Sequence, residues 1–134
     1  MKLKTLLFIH FLCMGLVVAC AAKQESTPVT ALAPSLSEPI YSNGELTSMY
    51  PVTFDRVWNA AIVTLDDLDM AIVSVQKIAG GVINALTSDR KPVQIVIQSV
   101  GPGNTQIGIR IGAEGDERTS RMINDQIASR LGIR

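Results

Sequence analysis

The side chain with the most definite chemistry in this sequence is the thiol of Cys20. It closes the tetrad Val17-Val18-Ala19-Cys20, in which apolar residues lead to a small one and the cysteine follows at once. A thiol in that setting accepts diacylglycerol, and cleavage between Ala19 and Cys20 leaves the lipidated cysteine as the first residue of the mature chain. Each buried methylene contributes roughly 0.8 kcal/mol and one acyl chain alone binds only marginally, so a multiply acylated cysteine is a stable anchor that needs no transmembrane helix.

The other candidate groupings carry weaker chemistry. Asp66, Asp67 and Asp69 gather three carboxylates at the C-terminal end of an expected helix, against the negative pole of its dipole, where a divalent cation would offset the repulsion. The calcium-loop pattern of alternating acids, a glycine and a distal glutamate is missing, and water solvates an exposed cluster adequately, so a metal is not expected. Gly101-Pro102-Gly103 has the composition of a phosphate loop, but no helix N-terminus follows to supply amides and dipole. A serine nucleophile needs a base. The single histidine, His10, and the second cysteine, Cys13, both precede the cleavage site, and Lys23, Lys77 and Lys91 fall in a tether, a strand and a turn, away from any partner motif. Neither catalysis nor a cofactor is expected.

Lipidation requires export, and the first nineteen residues supply its parts in order: Lys2 and Lys4 as the charged start, Leu6 to Val18 as the apolar stretch, then the small-residue cut. That stretch is too short to span a bilayer, which takes roughly twenty apolar residues. Three segments follow: residues 1–19 as a signal peptide, 20–39 as the lipidated cysteine and a flexible tether, and 40–134 as a single domain. The tether contains three prolines and several Ser and Thr without a hydrophobic period, and fully extended it reaches roughly 60 Å. Loss of Lys2 and Lys4 leaves ten basic against twelve acidic side chains, a balance that argues against a nucleic-acid partner. Ala21 stands beside the cysteine. By resemblance to lipoproteins of enteric bacteria, in which Asp at that position retains the protein in the inner membrane, it implies the outer membrane, with the domain in the periplasm.

From residue 40 the pattern becomes periodic. Asn43-Gly44 predicts a turn into a strand over 45–50. Thr53 then caps a helix whose Phe54, Val57, Trp58, Ala61, Ile62 and Leu65 form one apolar stripe, which predicts Trp58 in the core. Ala71, Val73 and Val75 alternate, a Gly80-Gly81 break follows, and 82–87 continues as a strand. Val93, Ile95 and Ile97, and then Ile107, Ile109 and Ile111, each define one buried strand face. Residues paired across a ladder share a face, so matching these two sets requires a connection with an odd number of residues, three or five. A last helix runs from about Asp116 to Gly132, with Ile123, Ile127 and Leu131 on one side. The order β-α-β-β-β-β-α predicts an α+β fold, an antiparallel sheet with both helices packed on one face.

The opposite face would then carry Gln94, Gln98, Gln106 and Arg110, with Val96 among them. Such an amide-rich surface can hydrogen-bond a glycan or a protein, although antiparallel sheets commonly carry a merely solvated face.

The segments Tyr41-Ser42-Asn43-Gly44-Glu45-Leu46, Phe54-Asp55-Arg56-Val57-Trp58, Ile107-Gly108-Ile109-Arg110-Ile111-Gly112 and Gly115-Asp116-Glu117 together resemble a domain-of-unknown-function family of small Gram-negative periplasmic lipoproteins, over residues 40–131. The resemblance implies the same element order and a periplasmic lipoprotein without an assigned activity. The element order is also similar to the helix-grip domains of the C subunit of the outer-membrane β-barrel assembly machinery, a likeness of fold alone.

Two functions fit these constraints. One is a non-catalytic envelope interaction or assembly protein, attached to the membrane by its lipid and docking on an envelope protein through the sheet face or an exposed strand edge. The other is a binding module for a small ligand, a lipid or a peptidoglycan fragment. Cys20→Ser is expected to leave an unprocessed precursor that takes up no labelled palmitate. Label entering that variant, or wild-type protein fractionating as soluble without detergent, would place the attachment elsewhere.

Overall fold

Within residues 37–133, the part of the chain that the computed structural model describes, alternation of side chains builds a six-stranded antiparallel sheet. The strands are β1 (Ile40–Ser42), β2 (Glu45–Tyr50), β3 (Ala71–Gln76), β4 (Gly81–Leu86), β5 (Pro92–Gly101) and β6 (Asn104–Ile111), ordered β1-β2-β6-β5-β4-β3 across the sheet. Helix α1 (Phe54–Asp67) connects β2 to the far edge, the meander β3 to β6 returns to β2, and α2 (Glu117–Leu131) closes the chain. Residues 1–36 and 134, and with them Ala19, Cys20 and most of the expected tether, lie outside the described residues.

One face of the sheet is nearly all isoleucine: Ile83, Ile95, Ile97, Ile107, Ile109 and Ile111 are fully buried beneath Val57 and Leu65 of α1 and Ile123 and Ile127 of α2. Both helices therefore sit on this face, as the sequence predicts. The β5–β6 ladder pairs Val93 with Ile111, Ile95 with Ile109 and Ile97 with Ile107. Pro102-Gly103 by itself is a two-residue turn between Gly101 and Asn104, and a shift in register between Ser99 and Gly101 inserts Val100 as the extra residue. The connection between the paired Ser99 and Thr105 thus has the odd length that the facing of the isoleucines demands.

Three local readings are corrected. Residues 40–42 form a strand of their own, joined to β2 by Asn43 and Gly44 at φ 50° and 78°, the left-handed pair that a two-residue hairpin needs. In β3 the simple alternation breaks at Val73: Ile72 pairs with Ala85 and Val75 with Ile83, so Ile72 and Val75 face the helix side and the bulge absorbs the parity. In α1 the buried line is Val57, Ala60, Ala61, Thr64 and Leu65, while Phe54, Trp58 and Ile62 are half-buried at its rim. The helix is rolled so that Trp58 packs on the bare Cα of Gly81, where an added Cβ would strike its ring. Trp58 is thus an edge residue.

Thr53 stands at the N-cap of α1 in extended backbone, as expected, but its side chain makes no capping hydrogen bond; the other three helix ends obey capping chemistry. Asp116 accepts the Thr119 amide at 3.1 Å, and this hydrogen bond, before any neighbouring charge, holds its carboxyl below the usual carboxylate range. Both helices close with a left-handed residue, Asp69 for α1 and Gly132 for α2, and the following amides reach back to Leu65 O and Ala128 O at 2.9 Å each.

The β1–β2 turn and the loop into α2 meet at two glycines. At Gly115, with φ +88°, a Cβ would strike Gly44 and the Tyr41 hydroxyl. Gly115→Ala is therefore expected to lower stability by about 1–3 kcal/mol in chemical denaturation, overpacking added to a disfavoured φ. Gly112→Ala, with a similar φ but open space around it, should cost clearly less.

Candidate functional site

The outer sheet face, turned away from both helices, unites the four residues singled out by the sequence. Gln94 stands opposite Arg110, Gln98 opposite Gln106, and Val96 opposite Gly108 between them. The same register continues outward, with Glu45 of β2 opposite Arg110, Asn84 of β4 opposite Gln94, and Ser74 of β3 opposite Asn84. The result is a polar row across five strands. Arg110 Nη2 lies 3.5 Å from Glu45 Oε2, Gln94 Nε2 donates to Asn84 Oδ1 at 3.4 Å, and Asn84 Nδ2 donates to Ser74 Oγ at 3.0 Å. Gly108 makes room for Glu45, whose Oε1 would lie 2.5 Å from a Cβ at that position. The chemistry of this surface is amide and guanidinium hydrogen bonding around a small apolar centre, Val96 and Val82.

The remaining candidates fall apart from one another. Asp66 and Asp67 lie in the last turn of α1 and Asp69 in its cap; Asp67 forms an ion pair with Arg130 of α2, a partner the sequence does not announce. Among the described residues, no three acidic, His or Cys side chains converge to hold a metal ion. Gly101-Pro102-Gly103 is the β5–β6 turn and leads into a strand. Phe54 and Trp58 stack with centroids 5.8 Å apart, and the Lys77 ammonium lies 5.4 and 5.6 Å from the two rings and 2.7 Å from Asp55 Oδ1. That clamp fastens the end of β3 to α1 by cation–π attraction and charge. Lys91 lies 3.5 Å from Asp89 and 3.8 Å from Asp116.

A second feature escapes the sequence reading. Between β2 and α2 runs a mostly apolar groove of about 310 Å³, walled by Pro39, Met49, Tyr50, Ala128 and Ile133. At its base, Asn124 Oδ1 accepts hydrogen bonds from Ser48 Oγ at 2.6 Å and from the Tyr50 hydroxyl at 2.7 Å. The signal for it was a polar Ser48 between the inward Leu46 and Tyr50, and Asn124 beside Ile123 on the buried side of α2. Burial raises the Tyr50 pKa well above its ordinary value of 10.0, the negative charge of Asp125 adds to the rise, and the Ser48 hydrogen bond opposes it.

Asn124→Ala removes the shared side-chain acceptor, leaving the buried Ser48 hydroxyl unpaired and the Tyr50 hydroxyl with only the residue-124 carbonyl at 3.1 Å, so a loss of about 1–3 kcal/mol is expected in chemical denaturation. The raised phenol pKa sets the sign of the alkaline response. Its contribution is present in full below 10.0, the value taken for the unfolded chain, and is lost as pH rises from there toward the folded value. Tyr50→Phe should flatten that alkaline loss; an unchanged pH profile would show that Tyr50 ionises freely.

No curated protein matches the chain. A family profile described as "Protein of unknown function (DUF3568)" matches residues 2–130, a span that takes in the Lys2–Cys20 segment together with the sheet and nearly all of α2. On that match the chain belongs to the DUF3568 family of proteins of unknown function.

Proposed function

We propose that this protein is a lipid-anchored periplasmic domain, held at the outer membrane through Cys20, that acts by contact and without catalysis, docking its outer sheet face on another envelope component. The observation that carries the docking reading is the convergence of Gln94, Gln98, Gln106 and Arg110 on one open face while both helices cover the other. A planar array of amides and one guanidinium can pair with a polar protein surface or a glycan, and the apolar centre at Val96 adds area that leaves water on contact. The anchor reading is supported by the tetrad at Cys20, by the charged and apolar segments before it, and by a family match that runs through all three. Among the described residues no helix is long and apolar enough to cross a membrane.

The groove beside Tyr50 supports a second reading, capture of a small apolar ligand, a lipid or a peptidoglycan fragment, because its apolar walls enclose the polar side chain of Asn124. Replacing Gln94, Gln98 and Arg110 together with alanine is expected to abolish recovery of a cross-linked envelope partner while leaving the fold intact, since solvent-facing changes usually cost within about 0.5 kcal/mol each. Ala128→Phe, which fills the groove, serves as the contrast. Loss of the bound molecule in the groove variant, with retention in the triple variant, would favour the second reading and overturn the first.

A further inference from the structure

The two ends of the sheet differ in charge. By strand order and register, the β3–β4 turn, the β5–β6 turn and the loop from β2 into α1 share one end, while the α1–β3, β4–β5 and β6–α2 loops share the other. The second set carries Asp69, Asp89, Glu114 and Asp116 against Arg90 and Lys91. The first set carries one charge, Lys77, which Asp55 of α1 holds at 2.7 Å. Apolar side chains stand out there instead: Ile78 is 88 % exposed and Val100 is 45 % exposed. The β5–β6 turn projects furthest, because β5 continues past the Val82–Val96 pair to Gly101, and the β3–β4 turn lies two strands away, about 10 Å.

The chain joins the domain at this same end. β1 pairs antiparallel with β2, with Ile40 opposite Thr47, so the residues before it approach from the Tyr50 end, and Ser37 and Pro39 line the groove beside Tyr50. Residues 21–36 connect Cys20 to this point and, even fully extended, keep the domain within roughly 60 Å of Cys20.

We propose that this end of the domain rests on the bilayer that holds the anchor, with Ile78 and Val100 set into the boundary between lipid headgroups and acyl chains. This rests on the anchor reading above. Three observations select lipid as the occupant. The chain arrives from Cys20 at this end, which brings it toward the surface. Anionic headgroups repel the acidic loops and turn the opposite end away. Ile78 and Val100 stand on two separate, convex turns, and a fluid interface accommodates separated points that a protein partner would have to meet with two matched pockets. Backbone groups of the turns that lack partners need water or headgroups, so the side chains alone enter, to a depth of about 5–10 Å at most. Two side chains insert weakly by themselves, and the covalent anchor supplies the effective concentration that keeps them there. The outer sheet face stays clear of the surface and open to an envelope partner.

The test uses the processed lipoprotein in vesicles of phosphatidylethanolamine and phosphatidylglycerol that contain nitroxide-labelled acyl chains and no other protein. Flotation checks anchoring, and the parent chain should take no thiol label, since lipid blocks Cys20. A fluorophore on Ile78→Cys or Val100→Cys is expected to be quenched at least about threefold more strongly than one on Ser88→Cys at the acidic end, as shallow insertion requires. In a second background, Ile78→Asp with Val100→Asp, a fluorophore on Pro102→Cys should lose its quenching while the protein still floats and keeps its circular dichroism. Anchored protein with equal or absent quenching at 78, 88 and 100, or quenching at 102 that survives the two aspartates, would overturn this proposal and leave the anchor standing. Protein that takes label on Cys20 and fails to float would overturn the anchor reading and this proposal with it. Gln94, Gln98 and Arg110 are unchanged throughout, so loss of capture in their triple variant remains a separate outcome.

Discussion

The register of the central β5–β6 ladder is the constraint on which everything else depends. Three isoleucines of one strand stand against valine and isoleucines of the other, and all of them face the helices. Because side chains alternate with period two, a slip of either strand by one residue would send that strand's apolar set to solvent and bring its outer residues, Gln94 and Gln98 on β5 or Gln106 and Arg110 on β6, into the core. Val100 prevents it. The extra residue reconciles a tight Pro102-Gly103 turn with the parity that the buried face requires, so a local irregularity protects the long-range pattern.

Once that register is set, the two faces have divergent fates. The inner face recruits both helices by burial of apolar surface, with the Ser48–Tyr50–Asn124 cluster as a polar inclusion between β2 and α2, joined by short hydrogen bonds. The outer face keeps its polar groups paired across strands and open to solvent. A surface whose hydrogen bonds are already partly internal is ordered in advance, and binding to it costs less side-chain entropy than binding to a loose one. This is the physical basis for reading it as a docking face.

The rim of the sheet is built from α1. Rolling that helix toward the β3 side places Trp58 on Gly81 and Phe54 beside it, and the two rings with Asp55 hold Lys77. Asp67 in the last turn of α1 meets Arg130, and Arg56 in its first turn donates to Leu131 O at 3.4 Å, so charge and hydrogen bonding fasten the two helices together. These contacts are exposed or partly so and individually modest. Their effect is orientation, since they decide which residues of a broad apolar stripe reach the core.

The α+β class, the shared face for both helices, the caps at Asp116 and Gly132, and the odd β5–β6 connection were legible in the sequence because they depend on period, parity and local backbone chemistry, which a linear chain displays directly. The tetrad ending at Cys20 is likewise a linear signal, complete without any fold. Tertiary structure alone decided the rest. An apolar stripe from Phe54 to Leu65 is wide enough to be buried along either side, and only the bare Cα of Gly81 beneath Trp58 turned that ring to the rim. The bulge at Val73 exchanged which β3 residues face inward, because it answers to β4 across the ladder and not to neighbours in sequence. Strand β1 is too short to show a period and exists because β2 lies beside it. The Asn124 cluster joins residues 74 and 76 positions apart, a separation that no local pattern spans.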